Sequence, residues 1–147
     1  HHDPRCVASC VIVSRLIHSL VYTSSPLTYV QIKDIACRYD ERIDSFIELS
    51  KNNDIRTLAL QDEDTMGYTL KTLAAGLWAY WHANTFEEGL LSVVRAGGDA
   101  DTNAAVAGAI LGAKFGFNAI PRVYVDGLQN SQKLDSVVHG IMDLCES

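Results

Sequence analysis

The sequence lacks long apolar runs and carries little positive charge. None of its unbroken apolar runs approaches the ~20 residues of a membrane-spanning helix, and no apolar segment follows its polar first residues as in a signal peptide. Lys and Arg number 12 against 18 Asp and Glu, which gives a net charge of -6. Nucleic-acid binding depends on a basic face. We therefore expect no membrane partner and no nucleic-acid binding, sequence-specific or otherwise.

Cysteine is scarce, with four residues in 147, and shows no functional spacing. Cys6 and Cys10 are four residues apart, which is neither a CxxC redox motif nor a zinc-knuckle spacing. These two, with Cys37 and Cys145, lie in apolar stretches and are interpreted as reduced core thiols. Reduced thiols are typical of a cytoplasmic protein.

The residues that are present favour a single all-α domain over residues 1–147. The chain is 48% hydrophobic, enough to bury a core. Only "RVYV" at 122–125 hints at a strand, and four residues cannot make a sheet alone. Apolar residues at helical spacing predict helices over 6–22, 27–38, 40–49, 67–82, 86–95, 103–115 and 134–144.

The least ordinary stretch is "RAGGDADTNAAVAGAILGAKFG", residues 95–116. Asp99, Asp101 and Thr102 supply hard oxygen ligands of the kind that Mg²⁺, Mn²⁺ or Ca²⁺ prefers. The two preceding glycines permit a tight turn, and the following helix start favours anions such as phosphate. The alternative is that one of the aspartates merely caps that helix, and the spacing alone leaves both interpretations open.

The helix that follows the aspartates consists mostly of alanine, glycine and other apolar residues. Small side chains let neighbouring helices approach closely, so this helix is expected at the centre of the bundle. A central helix would hold the aspartates rigidly, which favours a metal site over a surface cap.

"GGDADTNAAVAGAILGAKFG" resembles the C-terminal signature of the ADP-ribosylglycohydrolase family, which includes the dinitrogenase reductase-activating glycohydrolases. Three further stretches resemble the family in the right order: "HHDPRC", "GYTLKTLAAGLWAYWHANTFEEGL" and "GFNAIP". The resemblance implies an orthogonally packed all-α fold. It also implies a metal-dependent hydrolase that cleaves the glycosidic bond between ADP-ribose and an acceptor.

The resemblance further implies a binuclear Mg²⁺ or Mn²⁺ centre. Asp99, Asp101 and Thr102 stand at the positions of metal ligands, and the two aspartates also at catalytic positions.

The same resemblance implies five substrate-binding positions. Gly97 and Gly98 would line the ADP-ribose pocket, and Tyr68, beside Gly67, would lie near the adenine. His1 would approach the ribose and phosphates. The expected substrate is an ADP-ribosylated protein or a small ADP-ribosyl compound.

The sequence departs from the family in one respect. Members carry another ligand cluster, of Thr-Asp-Asp type, ahead of the H-x-D-P-R segment. The acidic "QDEDT" at 61–65 follows that segment and is interpreted as a loop capping the next helix. Asp3 and Arg5 are interpreted as a structural pair. The chain therefore resembles the C-terminal portion of a member.

Three hypotheses follow from the absent cluster. The chain is part of an active hydrolase, or a catalytically inactive relative that binds ADP-ribose or serves as a structural protein. In the third, a complementing chain supplies the missing N-terminal half. In each case helices that would contact that half should expose apolar surface.

Overall fold

The computed structural model describes residues 2–23 and 25–146. Over these residues the chain forms two 3-10 helices, Ile55–Leu58 and Phe117–Ala119, and no strand. Its eight α-helices are α1 (Pro4–Tyr22), α2 (Tyr29–Ala36), α3 (Arg42–Ser50), α4 (Thr69–His82), α5 (Phe86–Arg95), α6 (Ala100–Phe115), α7 (Arg122–Asp126) and α8 (Ser131–Glu146). The all-α class is confirmed.

The strand hint in "RVYV" is wrong, because residues 122–125 lie in α7. Pro121 precedes the first helical residue, where its fixed φ suits a helix start. This local signal outweighed the β-propensity of the two valines and the tyrosine.

Helix starts follow the capping residues in the sequence. The Asp3 carboxylate accepts the Arg5 backbone N–H at 2.9 Å and pairs with the Arg5 guanidinium, which confirms the structural interpretation of both residues. Thr28 and Gln31 form a complete capping box at α2. Thr85 accepts the backbone N–H of Glu88 at 3.1 Å to start α5.

Helices α4 and α6 pack side by side and run parallel. Near their N-termini, the Thr72 hydroxyl donates to Asn103 Oδ1 at 2.9 Å, and both residues are buried. Near their C-termini, Lys114 Nζ donates to the carbonyl oxygen of Tyr80 at 2.8 Å. Because the contacts advance in the same direction along both helices, the two N-termini lie at one end of the bundle.

Small residues permit the close approach of these two helices. A Cβ added at Gly76 would lie 3.0 Å from Ile110 Cδ1 and 3.2 Å from Val106 Cγ1. Ile110 is fully buried at this contact. The expectation that the small-residue helix is central is therefore confirmed.

Helix α1 brings a third N-terminus to the same end. The Arg5 guanidinium donates to the Tyr68 hydroxyl at 3.1 Å, beside the start of α4. At the other end, the Tyr80 hydroxyl donates to the carbonyl oxygen of Leu27 at 3.3 Å. The chain therefore gathers the helix starts of α1, α4 and α6 on one side.

Helix α1 is long and apolar enough to cross a membrane by length and composition alone. Ala8, Ile12 and Leu16 are nevertheless fully buried in the core, and buried core helices share that composition. The absence of a membrane partner stays a prediction.

The expected exposed apolar surface is present on α8. Six of its apolar side chains are at least 45% exposed: Leu134, Val137, Val138, Ile141, Met142 and Leu144. Helix α1 adds Val21 and Tyr22, which are 55% and 75% exposed.

The interpretation of the cysteines as core thiols is wrong, although all four are free. Cys10, Cys37 and Cys145 are exposed, and Cys6 is half-buried. Apolar neighbours in sequence do not place a thiol in the core, since on a helix those neighbours point in other directions.

Removing the hydroxyl of Thr72 should destabilise the α4–α6 contact. In Thr72→Val, the buried Asn103 side chain loses its partner, which should lower the free energy of unfolding by about 1–3 kcal/mol. Urea unfolding measures the loss. The double variant Thr72→Val/Asn103→Leu should lose less than the sum of the two single variants. Strict additivity would contradict the proposed pairing.

Two aspartate–arginine pairs should make stability depend on acid pH. Hydrogen bonds from Arg5 and Arg42 lower the pKa values of Asp3 and Asp40 from 3.8 to about 2. Because each folded-state pKa is lowered, the stabilisation is present above the unfolded value and is lost between about pH 4 and pH 2. The melting temperature of Asp3→Asn/Asp40→Asn should fall less over this range than that of the wild type, and an equal fall would contradict the assignment.

Candidate active site

A glycine turn leads the chain from α5 into α6 and carries the two aspartates. We call residues 97–102 the acidic turn. Gly97 and Gly98 have φ values of 76° and 66°, in the left-handed region that favours glycine. The Ala100 N–H donates to the carbonyl oxygen of Gly98 at 2.8 Å and closes the turn. The Asp99 and Asp101 carboxylates therefore both lie at the N-terminal end of α6.

A second segment, residues 59–67, packs against the acidic turn, and we call it the supporting loop. A Cβ added at Gly98 would overlap the carbonyl oxygen of Leu60. At its other end, the position of a Cβ on Gly67 lies 3.7 Å from Asp99 Oδ2. The supporting loop therefore holds the acidic turn from two sides.

The capping alternative fails for Asp99. This residue occupies the N-cap position of α6, but its side chain makes no capping hydrogen bond. Asp101 Oδ1 does accept the backbone N–H of Thr102 at 2.9 Å, so it satisfies one free donor of the first turn. The half-buried carboxylate of Asp99 is left to face the second carboxylate and the surface.

The two carboxyl groups influence each other electrostatically. A hydrogen bond with the Asp99 carboxyl, and then the Thr102 N–H, lower the pKa of Asp101. Two carboxylates that are close enough to interact repel each other when both are ionised, so a shared proton or a cation stabilises the pair. The N-terminal ends of α4 and α6 add positive potential from the helix dipoles.

The structure brings four of the predicted site residues into one depression. This open depression of about 370 Å³ is lined by Gly67, Gly98, Asp99, Asp101 and Met66. Met66 is 53% exposed and was not among the sequence-predicted site residues, since an isolated methionine in a polar loop carries no motif. Its thioether supplies an apolar edge to an otherwise polar surface.

Thr102 lines a neighbouring cavity of about 420 Å³ between α1, α4 and α6. Gly67 borders both cavities. The two spaces therefore meet at Gly67, at the end of the bundle where the three helix starts gather.

The remaining predicted positions lie around this site rather than in it. Gly97 faces Gln61: a Cβ added at Gly97 would lie 3.6 Å from the Cβ of Gln61. The Tyr68 ring packs edge-on against Phe46 at 5.6 Å between centroids. His1 lies outside the described residues. The substrate-binding roles of these residues stay predictions.

The donor set suits a hard divalent cation but is incomplete. Asp99, Asp101 and Thr102 offer two carboxylates and a hydroxyl at one turn. Within the part of the chain that the structure describes, no three acidic, histidine or cysteine side chains gather as a metal site. The metal-binding roles of Asp99, Asp101 and Thr102 stay predictions.

The interpretation of "QDEDT" as a helix cap is wrong. Tyr68 is the N-cap residue of α4, and no side chain makes a capping hydrogen bond there. Asp62 instead accepts the Thr65 hydroxyl at 2.6 Å and the Asp64 N–H at 3.3 Å within the supporting loop. The acidic residues fold the loop rather than start the helix.

Comparison with known proteins gives a consistent result. Residues 1–147 match the family described as ADP-ribosylglycohydrolase. ADP-ribosylarginine hydrolase Tri1 of Serratia proteamaculans is 28% identical over an alignment that covers 93% of this chain and 36% of the relative. Tri1 of Pseudomonas putida is 35% identical over 77 residues, 52% of this chain and 21% of the relative. ADP-ribosyl-[dinitrogen reductase] glycohydrolase of Rhodospirillum rubrum is 27% identical, over 87% of this chain and 39% of the relative. The chain thus spans well under half the length of these relatives.

Substitutions at the two glycines should separate backbone strain from steric overlap. Gly97→Ala should cost only the ~1–2 kcal/mol of a left-handed alanine, because the added Cβ meets ordinary contacts. Gly98→Ala carries the same strain and also forces the Leu60 backbone away. Urea unfolding should show Gly98→Ala to be the more destabilised variant, and equal losses would contradict the close backbone contact.

Proposed function

The chain belongs to the ADP-ribosylglycohydrolase family, and we propose that it forms the metal-binding C-terminal portion of a hydrolase that releases ADP-ribose from a modified acceptor. The observation that carries the proposal is the acidic turn. Its Asp99 carboxylate occupies a cap position without capping the helix and faces an open depression beside Asp101.

The residues of this chain have distinct parts in the proposed reaction. Asp99, Asp101 and Thr102 would hold Mg²⁺ or Mn²⁺, which supplies a water of lowered pKa next to the glycosidic bond. Bond cleavage develops positive charge at the anomeric carbon, and the two carboxylates would stabilise that charge. The helix starts of α4 and α6 would favour the diphosphate.

The proposed acceptor is the arginine side chain of a protein. Two of the relatives are named ADP-ribosylarginine hydrolases, and a third is named for ADP-ribosylated dinitrogen reductase. The depression is open to solvent at Asp101 and so leaves room for a large acceptor. Comparing the release of ADP-ribose from a protein modified on arginine with its release from the same protein modified on serine would distinguish the two acceptors.

The second metal of a binuclear centre requires ligands that the described residues do not gather. We propose that the N-terminal half of the family fold, or a complementing chain, supplies them. The exposed apolar side chains of α8 and the end of α1 offer surface that such a partner would cover.

Loss of either carboxylate should abolish turnover. In the complete gene product, Asp99→Asn and Asp101→Asn should each lower Mg²⁺-dependent release of ADP-ribose from an arginine-modified protein by about 100-fold or more, because each removes a proposed ligand and a charge. Asp126→Asn, at the exposed end of α7, is the control and should retain activity. Full activity in both site variants would refute the metal assignment.

An inactive relative is the second candidate, because the residues that the structure describes do not by themselves gather a complete metal site. Calorimetry with ADP-ribose on the complete gene product distinguishes the two. Tight binding without any release of ADP-ribose from modified proteins would support the binding protein, whereas turnover would support the hydrolase.

A further inference from the structure

Helix α4 carries one lysine, Lys71, among mostly apolar residues. It lies in the first turn of α4 and is only 8% exposed. Lysine is almost never buried unless its ammonium group is paired, so the contacts of this group identify what it stabilises.

The ammonium group of Lys71 is directed into the supporting loop. Its Nζ donates to the carbonyl oxygen of Ala59 and lies 3.5 Å from Asp62 Oδ2. Ala59 has a φ of 46°, an unfavourable value for alanine, and its carbonyl oxygen also accepts the Asp62 N–H at 3.1 Å. Asp62 in turn accepts the hydroxyl of Thr65. Lys71 thus joins two points of the loop to α4.

The same loop positions the acidic turn. Leu60 follows Ala59, and its carbonyl oxygen occupies the space that a side chain at Gly98 would need. The far end of the loop places Gly67 beside Asp99 Oδ2. A contiguous set of contacts therefore runs from Lys71 through the loop backbone to the first carboxylate.

We propose that Lys71 is a positioning residue for the metal-binding carboxylates, acting through the supporting loop. This inference rests on the proposed metal-binding role of the acidic turn. Without the lysine, the carbonyl oxygen of Ala59 keeps only the Asp62 N–H as a donor, and the loop loses its hydrogen bond to α4. The Leu60 backbone then no longer restrains Gly98, and the mutually repelling carboxylates of Asp99 and Asp101 can separate.

The test is Mn²⁺ binding to the complete gene product, measured by calorimetry without substrate. Lys71→Met keeps the apolar stem and removes the donor. Its dissociation constant for Mn²⁺ should rise about tenfold or more, as when residues that support metal ligands are removed. In activity assays, the Mg²⁺ concentration for half-maximal rate should rise, while the rate at saturating Mg²⁺ falls much less.

Lys114→Met is the matched control. Lys114 is also a lysine that donates to helix-end carbonyl oxygens, those of Tyr80 and Ala83, each at 2.8 Å. It lies 13 residues after Asp101 on α6, which is about 20 Å along the helix. Its loss should lower stability but leave the Mn²⁺ dissociation constant within about twofold of the wild type, because Lys114 has no contact with the supporting loop or the acidic turn.

The outcomes separate this inference from the proposed function. Weakened Mn²⁺ binding in Lys71→Met but not in Lys114→Met supports the positioning role. Equal binding in Lys71→Met and wild type overturns it and leaves the proposed function standing, whereas a wild type that binds no Mn²⁺ overturns both. Equal weakening in both variants would mean that general destabilisation causes the effect, which also overturns the positioning role. If Lys71→Met does not fold, Lys71→Gln, which removes the charge and shortens the side chain by one atom, gives the same comparison.

Discussion

The parallel packing of α4 against α6 is the constraint on which the site depends. Two parallel helices in contact must begin at the same end, so the segments that precede them become neighbours. The supporting loop precedes α4, and the acidic turn forms the start of α6. Their contact at Leu60 and Gly98 is therefore a consequence of the helix pairing, which itself requires the small residue Gly76 at the crossing.

This arrangement explains why the acidic turn carries two glycines and why a polar pair lies in the core. The turn must reverse from α5 and also pass against a carbonyl group, which leaves no room for a side chain at Gly98. One turn further along, the buried Thr72–Asn103 hydrogen bond fixes the rotation of α6 relative to α4. The direction of the Asp99 and Asp101 side chains follows from that rotation.

Much of the helical pattern could be predicted from the sequence, because it depends on local spacing and capping. Thr28 and Thr85 start the helices that the sequence predicts, and the small residues of α6 indicate its central position. The supporting loop could not be predicted in this way, since the burial of Lys71 depends on a carbonyl oxygen 12 residues away in sequence. For the same reason, the ion pair between Asp62 and Lys71 could not be predicted from the sequence. The cysteines also escaped prediction, because exposure depends on which helix face meets the core.

We propose that Asp99, Asp101 and Thr102 form one side of a divalent-cation site that the supporting loop holds in place. Anomalous diffraction from crystals of the complete gene product grown with Mn²⁺ tests it most directly. We expect an anomalous peak within coordination distance of both carboxylates and of the Thr102 hydroxyl, with the Leu60 carbonyl oxygen still against Gly98. A peak only at other acidic groups, or none at saturating Mn²⁺, would contradict it.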